Sequence, residues 1–431
     1  MLWCFLARST VAGRMRSSPA AAWFFNYLSY EFTRQSHSIS SHSARPILKV
    51  LGNSINWYPG HMQKGLKAMH LRLVNVDVII ELHDARLPFT GRCNFIKDVS
   101  QIRPRILIMN KCDLAEPVSD LSTFKNILSA RDLCSSYEQP PTEVFFTNMK
   151  SPERQKRLIR NILLSLTRLS SNTGFYVAPS NEFSAIEEDL ESGEDFTAGE
   201  GTTTSHGRVE ITAMVVGLPN CGKSTFINAL RSFAQPGRRR AVAVGKNAGR
   251  TRSVGSAIVL APSFPIAATE GGGGVLRECC IRVIDTPGIL EPRAQTLCGQ
   301  LSLGVCGALD WNAVEKELLA DYLLFCLNRR QRLEYVQVLD MPRPTNNVTE
   351  LLAWISALRS LFVHVSPRRV LGDHAADNDK ASLPQPDFST AAYHFLRLFC
   401  EGRLGRLTFR PEDEEAASHF FVLAPGSGGT K

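Results

Sequence analysis

The chain has no stretch of about 18 uninterrupted apolar residues, which excludes an ordinary membrane-spanning helix. It has no C-x-x-C pair; its 11 cysteines are scattered, Cys279 and Cys280 are adjacent, and Cys112, Cys221 and Cys326 sit inside apolar or motif positions. That pattern points away from a zinc clip or disulfide framework and toward reduced thiols in a reducing compartment. Two regions lack charge of one sign. Residues 1–45 carry five arginines (Arg8, Arg14, Arg16, Arg34, Arg45), one acid (Glu31) and no lysine. Arg-rich, Ser-rich and acid-poor, they read as a mitochondrial targeting presequence outside the fold. Residues 181–206 carry eight acids and no Lys or Arg. With too few apolar residues to bury, 181–207 reads as a disordered acidic insertion.

What is present is ordinary for a soluble globular protein: 44% hydrophobic and 21% charged residues, in a chain long enough at 431 residues for two or more domains. The net charge of +8 understates the folded part. Setting aside the eight acids of the insertion and the +4 of the presequence leaves about +12. That excess suits a polyanionic partner such as RNA, and it equally suits a solvated surface rich in lysine and arginine.

The organising stretch is Gly217-Leu218-Pro219-Asn220-Cys221-Gly222-Lys223-Ser224-Thr225. An apolar run, Val209 to Val216, precedes it as a strand, and a helical pattern begins at Thr225. Strand, then G-x-x-x-x-G-K-S, then helix is the setting of a phosphate-binding loop. Its glycines allow a tight turn, so the N–H groups of Asn220, Cys221, Gly222, Lys223, Ser224 and Thr225 are candidates to converge on phosphate, helped by the helix N-terminus. Lys223 would reach the β- and γ-phosphates and the Ser224 hydroxyl would ligate Mg²⁺.

Upstream, the strand-like run Arg105 to Met109 enters Asn110-Lys111-Cys112-Asp113. A guanine ring offers N1–H and N2–H₂ side by side, and the Asp113 carboxylate would accept both. Adenine would set a lone pair against that carboxylate and leave a buried charge unpaired, so such a site discriminates strongly. Asn110 would hold loop geometry on the N7 side, and the stem of Lys111 would lie over the base. A shorter strand, Glu143 to Phe146, ends in Thr147-Asn148, where guanine-nucleotide domains usually carry a small-residue loop that contacts O6 through backbone N–H.

Downstream, a strand over Cys280 to Ile284 enters Asp285-Thr286-Pro287-Gly288-Ile289. Asp285 would hold Mg²⁺, mostly through water, and the Gly288 N–H would sense the γ-phosphate. Thr251, in Gly249-Arg250-Thr251-Arg252, would bring its hydroxyl to Mg²⁺ and the γ-phosphate as a second switch element. Arg238-Arg239-Arg240 is a basic run that suits a solvated loop or an RNA contact. Further helices are expected at Met62 to Leu73, 95–99, 124–133, 152–169, 301–330, 347–361 and 389–401 from their apolar periodicity.

N-K-x-D precedes the phosphate loop and D-T-P-G, the reverse of the usual order. Each element still caps a strand, so the same sheet is rebuilt with the chain cut at another loop. The expected fold is α/β: a circularly permuted P-loop domain over 46–300, mostly parallel with helices on both faces. A small all-α domain over 301–410 and a disordered tail over 411–431 follow.

The chain resembles the circularly permuted GTPases of the YlqF/RbgA family. The residues that carry the match are W-Y-P-G-H-M (57–62), H-D-A-R-L-P (83–88), N-K-C-D-L (110–114), G-L-P-N-C-G-K-S-T (217–225), D-T-P-G-I-L (285–290) and A-D-Y-L-L-F-C-L-N (320–328). The resemblance covers about residues 56–405. It implies a monomeric GTPase acting late in assembly of the large ribosomal subunit. The family's mitochondrial member acts in mitochondrial translation from the matrix side of the inner membrane, which implies a peripheral matrix location here. The resemblance also places Ile289 where ordinary switch GTPases carry a water-orienting glutamine; an apolar residue cannot do that, so slow intrinsic hydrolysis, activated by the ribosomal particle and by K⁺, is implied. By the same resemblance Asn220 is a candidate K⁺ ligand and His61 a candidate water-orienting residue, though His61 also suits a purely structural place after Pro59-Gly60. The family's P-G-x-T switch appears here as Ala248-Gly249-Arg250-Thr251, without its proline. A second reading is a GTP-dependent scaffold at the inner membrane that does not contact rRNA. A third, an ATP-using kinase, is disfavoured by the pairing of N-K-x-D with D-T-P-G.

Overall fold

The computed structural model describes residues 45–47, 60–91, 102–117, 142–171, 209–238, 241–242, 255–266, 278–288, 296–312, 314–365, 383–418 and 421–423. Expected features at 1–44, 95–99, 124–133, 181–207, Arg239-Arg240, Thr251 and Ile289 lie outside them.

Two elements, β1 (Arg45–Ile47) and α1 (Gly60–Arg72), precede the central sheet. The sheet comprises β2 (Val78–Asp84), β3 (Arg105–Asn110), β4 (Glu143–Thr147), then, after α2 (Lys156–Ser171), β5 (Val209–Gly217), and, after α3 (Lys223–Ala234), β6 (Ala257–Pro265) and β7 (Glu278–Asp285). Its spatial order is β4-β3-β2-β5-β7-β6, parallel throughout except for β6, which runs antiparallel to β7 at the edge. β2 and β3 are buried along their whole length, as strands covered on both faces must be. Alternation sorts β5 between two cores. Ile211, Ala213 and Val215 pack with Ile162 and Leu166 of α2 and Phe226 and Leu230 of α3. Met214 and Val216 face Met69 of α1 and Leu73.

This order explains how the site is assembled. The chain fills one half of the sheet (β2, β3, β4), crosses to β5 beside β2, then fills the other half with β7 and β6. The β2–β5 boundary is therefore a topological switch point, where open α/β sheets bind ligands outside the carboxyl ends of their strands. Because the neighbours are parallel, the loops after β2, β3, β4, β5 and β7 all leave from that one edge.

The second part begins at α4 (Leu297–Val305) and continues through α5 (Lys316–Arg329), the short α6 (Glu334–Val338), α7 (Val348–Arg359), β8 (Phe362–Val365), β9 (Leu383–Pro386), α8 (Phe388–Cys400), α9 (Pro411–Ser418) and β10 (Phe421–Leu423). Side-chain caps start three of its helices: Thr296, Asn347 and Asp387 accept from the N–H groups of Gly299, Thr349 and Thr390. Tyr322, Tyr335, Phe395, Phe399 and Phe409 fill its centre. The continuous helix expected at 301–330 is instead two, α4 and α5, with Gly307 between them at φ 77°, a left-handed geometry that ends the first. An antiparallel β8–β9 ladder joins the helices.

The expectation of a disordered tail from 411 is corrected over 411–418. There, α9 packs on the helical core through Ala417, which is fully buried, and Asp413 pairs with Arg330 at 2.6 Å and Arg329 at 3.3 Å. Farther on, β10 runs parallel to β1, with Arg45 opposite Phe421, so the last residue assigned to the presequence belongs to a ladder. Among the described residues no helix is long and apolar enough to cross a membrane. The eight described cysteines are free, and burial pushes Cys279 up to about 11 and Cys298 up to about 12, which keeps these thiols protonated and unreactive.

Glu414 gives α9 a pH dependence. Burial, with a smaller push from Asp413, raises its carboxyl from 4.5 to about 7, against a hydrogen bond from Thr296 at 3.2 Å. The folded chain therefore holds a proton that the unfolded chain releases, so this contribution is full below about pH 4.5 and is lost as pH rises through about 7. A Glu414→Gln variant is expected to melt above the wild type at about pH 8 and to flatten the profile between about pH 5 and 8, read by thermal unfolding across pH.

Candidate functional site

Gly217 ends β5 beside Leu82 of β2, and the loop turns over that junction into α3. Gly222, at φ 106°, is the last residue before the helix; a Cβ there would sit 2.4 Å from Asn110 Nδ2, so the loop and the N-K-x-D strand approach each other only through glycine. Lys223 is buried, and its ammonium donates to the Gly217 and Leu218 carbonyls at 3.0 and 2.8 Å, which folds it back over the loop.

Asn110 ties three strand ends together. Its Nδ2 donates to the Cys221 carbonyl at 3.0 Å, and its Oδ1 accepts from Thr147 Oγ1 and Met149 N at 3.2 Å each. Lys111, at φ 60°, reaches back to the Asn220 carbonyl at 2.6 Å. The Cys112 N–H donates to the Thr147 carbonyl at 3.1 Å, and Asp113 follows, partly buried. The Asn148 N–H, a candidate O6 donor, is bonded to Gln155 Oε1 at 3.0 Å, a contact that a ligand there would have to replace.

Across the loop stands the D-T-P-G turn. Gly288 packs so closely on Pro219 that a Cβ would lie 2.5 Å from the Pro219 nitrogen. α1 closes on the same turn, where a Cβ at Gly65 would meet the Pro287 ring at 2.8 Å. His61 lies in the first turn of α1, one helical turn before Gly65; its side chain is outside the described residues. Asp285 is buried with both carboxylate oxygens lacking a hydrogen-bond partner. Burial pushes its pKa up, and the nearby Lys223, the Thr286 N–H and the Ser224 hydroxyl offset part of that rise. A buried carboxylate with free acceptors beside a serine hydroxyl and a phosphate loop fits a divalent cation that takes its remaining ligands from phosphate and water. No cluster of three or more His, Cys, Asp or Glu ligands exists among the described residues.

Two residues that the motifs did not assign a role sit beneath the loops. Asp84, ending β2, accepts from Lys111 Nζ at 2.9 Å and from Arg86 Nη2 at 2.7 Å and Nε at 3.0 Å. Arg86 is 1% exposed and its guanidinium lies 5.1 Å over the Phe399 ring. Burial alone would raise the Asp84 pKa, but Arg86 and Lys111 overrule it and hold the carboxyl well below the usual carboxylate range. A buried aspartate and arginine at a strand end, two residues apart, are the available sequence signal.

A P-loop nucleotide-binding domain on a permuted, mostly parallel sheet is the class that this fold and site define. Residues 212–354 match the family described as 50S ribosome-binding GTPase. The chain is 32% identical over 350 residues to "Mitochondrial ribosome-associated GTPase 1" of Xenopus tropicalis, covering 81% of this chain and 92% of that one. It is 30% identical over 356 residues to "Mitochondrial GTPase 1" of Aedes aegypti, covering 82% and 92%. A solved structure, GNP-bound YlqF from T. maritima, is similar at a TM-score of 0.40 and 20% identity over 81% of this chain and 99% of that chain. The chain belongs to the family of mitochondrial ribosome-associated GTPases, and it is a GTP-binding, GTP-hydrolysing protein.

Proposed function

We propose that the chain is a GTP-driven assembly factor for the mitochondrial large ribosomal subunit, and so supports mitochondrial translation. It would act as a monomer, imported by its presequence and peripheral on the matrix side of the inner membrane. The observation that carries the reading is the convergence of three strand ends on one edge of the sheet: Asp113 for the base, Gly217 to Thr225 for the phosphates, and Asp285 with Gly288 for the metal and the γ-phosphate. The names of the relatives and of the matching family supply the ribosome.

In this reading Asp113 accepts from guanine, with Asn110, Lys111, Cys112, Thr147 and Asn148 shaping the base side. Asn220, Cys221, Gly222, Lys223, Ser224 and Thr225 cradle the phosphates. Ser224, Asp285 and Thr251 are the Mg²⁺ ligands, and the ion would neutralise charge that develops on the transferred phosphoryl group. His61 would orient the attacking water. The Asn220 Nδ2 donates to the Gly307 carbonyl at 2.7 Å, so K⁺ binding there would use its Oδ1. GTP would order the Gly288 turn and hydrolysis would release it.

The test is sedimentation of a mitochondrial extract with a non-hydrolysable GTP analogue. The chain is expected in the large-subunit fractions with the analogue and free of them with GDP. Its absence from those fractions in both cases would favour the scaffold at the membrane.

A further inference from the structure

The permuted order leads to the expectation that the D-T-P-G turn, which ends the sheet, hands its motion to the helical part. Among the described residues, a set of hydrogen bonds ties the helical part to the base-reading side. The Leu114 carbonyl, one residue past Asp113, accepts from the Leu407 N–H at 3.2 Å. The Glu116 N–H donates to Thr408 Oγ1 at 3.0 Å, and the Glu116 carboxylate takes Arg410 at 2.8 Å. Gly402, at φ 80°, lies so close that a Cβ would stand 2.6 Å from Leu114 Cδ2. The Arg86 carbonyl accepts from the Phe409 N–H at 2.9 Å, and its guanidinium reaches the Cys306 carbonyl at 3.4 Å.

Segment 402–410 therefore runs as a strap across the back of the loop that carries Asp113. The strap ends on Arg86, Arg86 holds Asp84, and Asp84 holds Lys111. Leu114 and Glu116, just past Asp113, are bonded to the strap directly, and Lys111, just before it, is bonded through Asp84 and Arg86. These bonds are made by residues with no place in phosphate chemistry.

We propose that segment 402–410 is a nucleotide-retention strap: while docked it keeps the base-reading loop closed and slows release of the guanine nucleotide, and lifting it acts as an exchange signal. The proposal rests on the reading of Asp113 as the base contact but not on any ribosomal role. Linkage makes the effect reciprocal, so bound guanine nucleotide must tighten the strap.

The experiment uses the full chain, Mg²⁺ and a fluorescent GDP, with dissociation followed by stopped flow. Thr408→Ala with Arg410→Ala removes two side-chain contacts to Glu116 at the surface. This double variant is expected to release GDP about tenfold faster, with association and single-turnover hydrolysis unchanged, whereas Arg410→Lys stays near the wild type. Amide exchange over 402–410 is expected to slow on GDP binding in the wild type and to lose that response in the double variant. Release within about twofold of wild type in a variant of wild-type melting temperature would overturn the strap, as would amides in 402–410 indifferent to GDP. Failure of the wild type to bind GDP at all would instead sink the guanine-site reading beneath it.

Discussion

An Asp113→Asn chain is expected to bind GTP on the order of 10³-fold more weakly than the wild type and to prefer xanthosine triphosphate. The carboxylate offers two acceptors to N1–H and N2–H₂ of guanine. An asparagine replaces one acceptor by an amide donor, so one guanine donor is left facing another donor in a desolvated pocket. Xanthine carries a carbonyl where guanine carries its amine, which restores the match. The turn is held independently of this side chain, through Leu114 N to the Lys111 carbonyl at 2.9 Å and Cys112 N to the Thr147 carbonyl at 3.1 Å, so the loop should survive the substitution. Competition of GTP, XTP and ATP against a fluorescent nucleotide reads the effect. Unchanged GTP preference would remove Asp113 as the base reader.

Arg86→Ala is expected to cost about 3–5 kcal/mol of folding stability, a large share of the roughly 5–15 kcal/mol a domain has. The substitution removes a guanidinium that pairs with Asp84 through two nitrogens and lies over Phe399, and it leaves Asp84 with Lys111 and the backbone N–H of residue 86. Arg86→Lys should recover only part, because an ammonium cannot make the forked contact. The sign of the pH dependence follows from the depressed Asp84 pKa: the stabilisation is present above the ordinary value of 3.8 and is lost as pH falls below it. The gap between wild type and Arg86→Ala should therefore narrow in acid, as the stranded carboxyl takes a proton. Urea unfolding at about pH 7 and about pH 3 measures both.

The nucleotide motifs were legible because each is a short run fixed to the end of one strand, and a parallel sheet brings all such ends to one edge without further information. The permutation was legible for the same reason, since N-K-x-D stands upstream of the phosphate loop in plain order. Asp84 and Arg86 carried no role because their partners are remote in sequence: Cys306, Phe399 and Phe409 come from the far side of the chain. The strap was hidden likewise, since Leu407 and Thr408 contact the base loop through a backbone N–H and a hydroxyl, which no periodicity records. Helix α9 was missed because Pro411-Glu412-Asp413-Glu414-Glu415 has no apolar stripe. It is held by Asp413 on Arg329 and Arg330, and its three acids in the first turn suit the helix dipole. Gly307, a single left-handed residue, split a run whose composition suits one helix.

The most direct test of a guanine-nucleotide switch built for a ribosomal particle is turnover by the purified chain with Mg²⁺. GTP and ATP are supplied separately, in K⁺ or in Na⁺, with and without isolated mitochondrial large subunits. The expected result is slow hydrolysis of GTP alone, no comparable use of ATP, and a rate raised by the large subunit and by K⁺. Equal consumption of ATP and GTP, or a GTP rate indifferent to the large subunit, would contradict it.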